Sequence, residues 1–201
     1  MPAGRKDDPT MPGAERAAGP QSISQGDPTY PDRLIRRLGA NGPKSIAIAG
    51  SPTPIAAPMT AFLCSKETPG ATILKAFDQA AAWRDAGRCV ISGFHSPLER
   101  QCLDILLRGK QPIVMALARG IGALRLPAPQ RRALEDGRLT IISPFPIRER
   151  RATADLARRR NRFVAALADE VVFAFISPGG SLSLLADELV GWGLEPRELH
   201  Q

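Results

Sequence analysis

The fold of this chain is decided by one stretch, LARRRNRFVAALADEVVFAFISPGGSLSLL, which runs from Leu156 to Leu185. Its first half predicts a helix, because large apolar side chains recur at the helical period and share one face. These side chains are Leu156, Phe163, Val164 and Leu167. Arg160 falls on the same inward face, four residues from Leu156 and from Val164. An arginine that faces inward needs an anionic partner.

The second half of the stretch predicts a strand and an anion-binding turn. Val171 to Ile176 is a continuous apolar run, and such runs are typical of parallel strands that helices cover on both faces. Ser177 to Gly180 then form a turn, and a helix begins at Ser181. A glycine turn that leads into a helix presents free backbone N–H groups to an anion.

The same alternation of short apolar runs and helical segments continues along the chain. Four further runs predict strands: Ser45–Gly50, Cys89–Gly93, Pro112–Ala118 and Leu139–Ser143, with a rudimentary sixth strand at Leu194–Pro196. The alternation predicts an α/β fold with a doubly wound, mostly parallel sheet of about five to six strands and helices on both faces. Residues 52–69, which hold three prolines before Met59, are expected to be an irregular connection.

Composition divides the chain into a tail and one domain. Residues 1–27 are rich in Pro, Gly and charge and are expected to be disordered, while residues 28–201 form a single domain. The net charge of +7 favours polyanionic partners, although arginine-rich compositions occur without any such partner. No apolar run is long enough for a membrane span, and no signal peptide is evident. The three unclustered cysteines fit a reducing cytoplasm and predict no metal site.

Several segments together resemble the DNA-processing protein A (DprA/Smf) family. They are Tyr30-Pro31, SIAIAG at 45–50, CVISG at 89–93, SPFP at 143–146, RRNRFVAALAD at 159–169 and GGSLSLLA at 179–186. The resemblance covers about residues 28–190 and implies a Rossmann-like core. It also implies binding of single-stranded DNA, help in loading RecA recombinase during recombination or DNA uptake, a homodimer, and no membrane partner. Neither a catalytic residue nor a cofactor is implied.

The chain departs from the family pattern at three positions. Pro52, Pro97 and Leu103 stand where the family has an arginine, a glycine and a histidine. Only an acidic residue, Glu99, is retained after the second strand.

Glycines, serines and arginines at predicted strand ends form the candidate DNA or phosphate site. The set is Gly50, Ser51, Ser92, Gly93, Arg160, Asn161, Arg162, Gly179, Gly180 and Ser181. Glycine admits a ligand close to the backbone, and guanidinium groups match phosphate oxygens. A secondary basic band is expected either to follow a DNA backbone or to form a solvated helix face: Arg148, Arg150, Arg151, Arg158 and Arg159. The alternative is that the glycines only make tight turns and that Arg160 is paired with Glu99, Asp155 or Asp187.

Other functions remain open from the residues alone. Pro178-Gly179-Gly180 also resembles the phosphate turn of LOG-type phosphoribohydrolases, which hydrolyse nucleoside monophosphates, but Ala186 stands where their glutamate falls and Glu188 comes two residues late. A nucleotide sensor without turnover and a purely structural partner protein are two further readings. Phe94 and Phe145 are candidates for stacking on bases, and His95 for acid–base chemistry.

Overall fold

Short apolar segments and amphipathic helices alternate along the computed structural model, which describes residues 20–122 and 124–199. In these residues the strands are β1 (Gln21–Ser24), β2 (Ser45–Ala49), β3 (Thr60–Leu63), β4 (Val90–Ser92), β5 (Ile113–Ala116), β6 (Leu139–Ser143), β7 (Glu170–Phe173) and β8 (Pro196–Glu198). The helices are α1 (Asp32–Leu38), α2 (Thr53–Ala56), α3 (Gly70–Asp85), α4 (Pro97–Leu106), α5 (Ala128–Glu135), α6 (Ala154–Leu167) and α7 (Ser181–Gly191).

All eight strands belong to one sheet with the order β1-β2-β6-β5-β4-β3-β7-β8. The six strands from β6 to β8 in that order are parallel. Their carboxyl ends therefore meet at one edge, which we call the carboxyl edge, and their amino ends meet at the opposite amino edge. β2 is antiparallel to both β1 and β6, so the chain leaves β2 at the amino edge.

The sheet separates two apolar cores. On one face α1, α6 and α7 pack through side chains such as Leu34, Phe163 and Leu189. On the other face α3 and α4 bury Trp83 and Cys102, among others. Burial on both faces explains why the central strands read as unbroken apolar runs.

The predicted fold class is confirmed, and the predicted number of strands is too low. β3 was not predicted, because its four buried residues lie between a proline-rich segment and a polar turn and show no periodicity. The last strand covers Pro196–Glu198 rather than 194–196. β1 lies inside the segment 1–27, so the expected disorder is wrong for residues 21–24. Residues 1–19 lie outside the described part of the chain.

Helix α6 forms as its periodicity predicts. It begins after Thr153, whose hydroxyl oxygen accepts a hydrogen bond from the Leu156 N–H at 3.2 Å, as a helix N-cap does. Its inward face buries Phe163 and Val164 together with Arg160, of which only 4% is exposed. The prediction that Arg160 faces inward is therefore confirmed.

Three further features concern the described residues only. Within them no helix combines the length and apolar character that crossing a bilayer requires. No group of three or more metal-ligating side chains occurs in residues 20–122 and 124–199. The thiols of Cys64, Cys89 and Cys102 are free and buried.

Candidate nucleic-acid interface

Arg160 reaches the carboxyl edge of the sheet because α6 follows β6 and starts there. Its Nη1 donates to the Ala116 carbonyl oxygen at 3.1 Å, at the end of β5. Its Nε donates to the Asn161 side-chain oxygen at 2.8 Å. Nη2 donates no hydrogen bond to any residue of the described chain. The crevice formed by Gly93, Ala116 and Arg160 is called the Arg160 crevice below.

Gly93 makes room for the guanidinium. A Cβ at this position would lie 1.4 Å from Arg160 Nη1 and 1.9 Å from Cζ. These distances are far shorter than any non-bonded contact between a Cβ and a guanidinium, so either the backbone or the arginine would have to move. The absence of a side chain at Gly93 is therefore a condition for the observed position of Arg160.

Arg160 has a charged neighbour but no direct ion pair. Burial lowers the pKa of Arg160, and the negative charge of Glu99 opposes that shift. Among the residues that the structure describes, neither Glu99, Asp155 nor Asp187 forms an ion pair with Arg160; Asp155 pairs with Arg158 at 3.0 Å. The guanidinium is thus held by a carbonyl and an amide, which leaves its positive charge without a contacting carboxylate.

Glu99 is buried and connects two turns beside the crevice through hydrogen bonds. Its carboxylate accepts hydrogen bonds from three backbone N–H groups, those of Cys64 at 3.1 Å, His95 at 2.8 Å and Ser96 at 3.2 Å. Glu99 and Ser96 form a capping box at the start of α4. These bonds tie the end of β3 to the turn after β4, and they occupy the carboxylate.

The turn after β4 has an unusual backbone. Phe94 has a φ of 46°, the one positive value at a non-glycine residue in the described chain, and bulky residues adopt such angles only under constraint. Ser92 is buried, and its hydroxyl oxygen accepts from the Phe94 N–H at 3.2 Å. Phe94 and Phe145 are each only 5% exposed, so neither ring offers a face on which a base can stack.

A second turn, at the end of β3, was not identified from the sequence. It consists of Cys64, Ser65 and Lys66, and Lys66 is exposed. The Ser65 N–H donates to the Phe175 carbonyl oxygen at 3.0 Å, and the Ser65 hydroxyl oxygen accepts from the Ser177 N–H at 2.9 Å. The turns after β3 and β7 are therefore joined. The only sequence signal was the short run TAFL, residues 60–63.

The predicted glycine turn after β7 lies at the same edge. Gly179 has a φ of 68°, which favours glycine. A Cβ at Gly180 would lie 2.9 Å from the Ser177 carbonyl oxygen. Ser181 is exposed and opens α7, so the first N–H groups of that helix point out of the carboxyl edge.

Gly50 and Ser51 do not join the other candidate residues. Because β2 is antiparallel to β6, both lie at the amino edge, and the prediction that they share a pocket with Arg160 is wrong. The Ser51 carbonyl oxygen accepts from the Thr140 hydroxyl at 2.7 Å. Gly50 has a φ of 94°, and a Cβ there would meet the Leu139 carbonyl oxygen at 2.8 Å. Gly50 is needed for the turn and for close packing on β6.

Arg162 is also separated from Arg160. The α6 helix turns it toward α7, where its Nε donates to both Glu188 oxygens, at 2.7 Å and 2.8 Å. Its Cζ lies 5.7 Å from the centre of the Trp192 ring. Arg162 is therefore paired in the fold, while Asn161 remains beside Arg160.

Two loops beside the crevice form a second basic feature, which we call the basic cleft. Arg119, after β5, and Arg148 and Arg150, after β6, line a cavity of about 520 Å³. Gly120 holds the loops together: its N–H donates to the Glu149 carbonyl oxygen at 2.8 Å, and a Cβ would lie 2.3 Å from the Pro146 carbonyl oxygen. None of the three arginines pairs with a carboxylate of the described residues. Arg119 was not among the sequence-predicted residues.

The remaining arginines of the predicted band differ in their surroundings. Arg151 is exposed, Arg158 is paired with Asp155, and the Arg159 guanidinium lies over the Phe145 ring. Arg158 is thus neutralised within α6, whereas Arg151 and Arg159 have no carboxylate partner among the described residues.

Comparison with known proteins agrees with this architecture. A family model described as DNA recombination-mediator protein A matches residues 21–183. No curated protein matches the sequence significantly. The X-ray structure of DNA processing protein A from Streptococcus pneumoniae superposes with a TM-score of 0.74 at 15% identity, covering 89% of this chain and 62% of that one. This chain therefore spans less than two thirds of that relative.

A second solved structure is similar. It is the DNA processing protein A of Helicobacter pylori, described for its single-stranded DNA binding mode, with a TM-score of 0.69 at 14% identity, covering 88% of this chain and 80% of that one. Identities this low show likeness of fold alone. The family model, in contrast, matches most of the chain, and the chain therefore belongs to the DNA recombination-mediator protein A family.

Proposed function

We propose that this protein binds single-stranded DNA at the carboxyl edge of its sheet, with Arg160 contacting a phosphate. One observation carries the proposal: Arg160 is buried at the edge where the parallel strands end, and its Nη2 has no partner in the described chain. Burial of an arginine without a contacting carboxylate costs free energy. An anionic ligand that receives the remaining donors offsets that cost, and a phosphate oxygen matches guanidinium geometry.

The surroundings of Arg160 support a chain of phosphates rather than a single one. The basic cleft of Arg119, Arg148 and Arg150 lies beside the crevice, and none of these arginines has a carboxylate partner in the described residues. On the other side Ser65 and Lys66 follow β3, and Ser181 opens α7. Ser65 and Lys66 supply a hydroxyl and a cation at this edge, which Ser51 and Pro52 cannot do from the amino edge.

The family relationship extends the proposal to partners. The Helicobacter pylori relative binds single-stranded DNA, and we propose the same ligand class here. We also propose that the bound strand is passed to RecA recombinase in the cytoplasm, in recombination or DNA uptake, and that the protein acts as a homodimer. Exposed Leu184 and Val190 on α7 are compatible with such an interface.

We propose no catalytic role. Glu99 is occupied by three backbone N–H groups, and Glu188 is occupied by Arg162, so neither carboxylate is poised to act as a LOG-type base. His95 is exposed, and its backbone N–H donates to the Glu99 carboxylate at 2.8 Å. Release of free base from a nucleoside monophosphate, lost on Glu188→Gln, would overturn this part of the proposal.

The experiment is a titration of labelled single-stranded and double-stranded oligonucleotides at two salt concentrations, with a mononucleotide as competitor. We expect preference for the single strand and affinity that falls steeply as salt rises, because phosphate contacts release counterions. Binding of the mononucleotide with no dependence on oligonucleotide length would favour a nucleotide sensor instead. Binding of neither ligand would contradict the proposed function.

A further inference from the structure

A cavity of about 470 Å³ lies beside α6 and is lined by none of the residues of the Arg160 crevice; the function proposed above does not use it. It is bounded by the end of β6, by α6 and by the loop that precedes β2. We call it the stacking cavity; its walls include Phe145, Arg159, Arg162 and the loop residues 40–43. Because β2 is antiparallel to β6, that loop reaches the carboxyl edge, so the stacking cavity and the Arg160 crevice open at the same edge.

The central feature of this cavity is a flat cation supported by a fixed ring. The Arg159 Cζ lies 5.3 Å from the centre of the Phe145 ring, which is the geometry of a cation–π contact. The Phe145 N–H donates to the Ser143 hydroxyl oxygen at 3.0 Å, and that hydroxyl donates to the Arg119 carbonyl oxygen at 2.7 Å. Prolines flank Phe145 on both sides. The ring is therefore held in place, and it positions the guanidinium that lies on it.

Two arginines line this cavity, and they differ in their partners. Glu188 neutralises the Arg162 guanidinium through two short contacts. Arg159 has no carboxylate partner among the described residues, and it is exposed. Its Cζ lies 5.3 Å from the centre of the Phe145 ring, and the exposed side chain offers a planar guanidinium to a ligand.

We infer that the stacking cavity is a base-binding subsite, in which a nucleobase of single-stranded DNA stacks on the Arg159 guanidinium. The inference rests on the proposed function and adds to it the element that reads bases rather than phosphates. Nucleobases stack on arginine planes as well as on aromatic rings, and Phe94 and Phe145 are too buried to stack directly. The cavity also has the size of a small-ligand pocket, roughly 300–1,000 Å³. A duplex keeps its bases stacked inside and cannot use this surface.

The subsite is distinguished from a simple phosphate contact by the shape of its cation. Lysine keeps the charge of arginine but has no plane on which a base can stack. Arg159→Lys therefore removes the stacking surface at an exposed helical position where both residues are good helix formers, so the fold is retained. Arg158→Lys is the matched control, because Arg158 is the adjacent exposed arginine and is paired with Asp155.

The test compares two labelled oligonucleotides of equal length, oligo-dT and an abasic strand with the same sugar–phosphate backbone. The readout is the ratio of their dissociation constants, from which the phosphate contribution cancels. We expect the wild-type protein and Arg158→Lys to prefer oligo-dT by the same factor, and Arg159→Lys to lower that factor about fivefold or more, since one stacked base is worth at least about that much.

Each outcome decides between the subsite and the proposed function. If the wild-type protein prefers oligo-dT and Arg159→Lys leaves the preference unchanged, the subsite is wrong and the proposed function stands. If the wild-type protein binds both strands equally, bases are not read at all, and the subsite is again wrong. If it binds neither strand, the proposed function fails and the subsite with it.

Discussion

The two edges of the sheet are both rich in arginine, and they use it in opposite ways. At the amino edge α1 directs Arg33, Arg36 and Arg37 toward a cavity of about 650 Å³. Arg33 pairs with Asp169 at 2.8 Å and also donates to the Ile55 carbonyl oxygen at 3.0 Å. Arg37 donates to two carbonyl oxygens at the end of α6, where a cation also complements the helix dipole. At this edge Arg33 and Arg37 attach α1 to the core.

At the carboxyl edge Arg160 and the arginines of the basic cleft have no ion-pair partner among the described residues. Arg160 has a carbonyl and an amide as partners, and the arginines of the basic cleft have no carboxylate partner in the described residues. Because both edges are rich in arginine, neither the number of arginines nor the net charge of +7 identifies a nucleic-acid surface. The surface is identified by guanidinium groups that the fold holds in position while leaving donors free.

The largest effect on stability is expected from Arg33→Ala at the amino edge. The change removes one ion pair and two contacts to carbonyl oxygens that hold α1 and α2 near β7. We expect the free energy of unfolding to fall by about 2 kcal/mol, as measured by urea denaturation, with oligonucleotide affinity unchanged in the folded protein. A large loss of DNA affinity in a stably folded variant would show that the amino edge also binds DNA, contrary to this prediction.

At the carboxyl edge the largest effect on DNA affinity by a change outside Arg160 itself is expected from Gly93→Ala. The new Cβ overlaps the position of Arg160 Nη1 and forces the guanidinium out of the crevice. We expect affinity for a single strand to fall by more than about 1 kcal/mol. The double variant Gly93→Ala with Arg160→Ala should bind no more weakly than Arg160→Ala alone, because both changes remove the same contact. Additive losses would show that Gly93 acts in some other way.

Smaller effects are expected from the basic cleft. Arg148→Ala or Arg150→Ala should weaken binding uniformly across sequences and reduce the slope of log affinity against log salt by about 1. Arg36→Ala at the amino edge is the matched control, and its salt slope should equal that of the wild-type protein. Equal slopes for all variants would remove the basic cleft from the DNA path.

The smallest difference between the edges is expected from the thiols. Burial raises the pKa of Cys64, at the carboxyl edge, to about 11, and that of Cys89, at the amino edge, also to about 11. Both thiols should resist alkylation at pH 8 in the native protein and react after unfolding, as mass spectrometry can follow. Folding favours the neutral thiols, so their contribution to stability is present below about pH 8.5 and is lost as pH rises through about 11. Rapid labelling of native Cys64 alone would indicate an open carboxyl edge.

The sequence predicted β4, β5, β6 and β7 and the inward direction of Arg160, because the first follow from continuous apolar runs and the second from helical periodicity. The equally buried β3 was missed. The direction of β2 depends on pairing and was not visible in the pattern. One signal was present: residues 50–59 are too few for a crossover between parallel strands, which takes a dozen or more residues. Such a short connection fits a chain that leaves β2 at the amino edge, where β3 begins. That single reversal moved Gly50 and Ser51 away from the candidate site.

The partners of individual arginines also lay beyond the sequence. Arg160 and Arg162 are two residues apart on one helix, yet one is left with free donors and the other is paired with Glu188. Their difference is set by α7 and by the ends of β4 and β5, which are distant in the chain. Ser65 and Lys66 were missed because β3 was missed. Side-chain availability is a tertiary property, and only the assembled edge reveals it.

The central claim is tested most directly by the affinity of Arg160→Ala for a labelled single-stranded oligonucleotide, measured by fluorescence anisotropy beside the wild-type protein and Arg158→Ala. If the carboxyl edge binds DNA through Arg160, the variant loses more than about 1 kcal/mol of binding free energy, while Arg158→Ala, whose charge is paired with Asp155, stays close to the wild type. Equal affinity of Arg160→Ala and the wild-type protein would contradict the account.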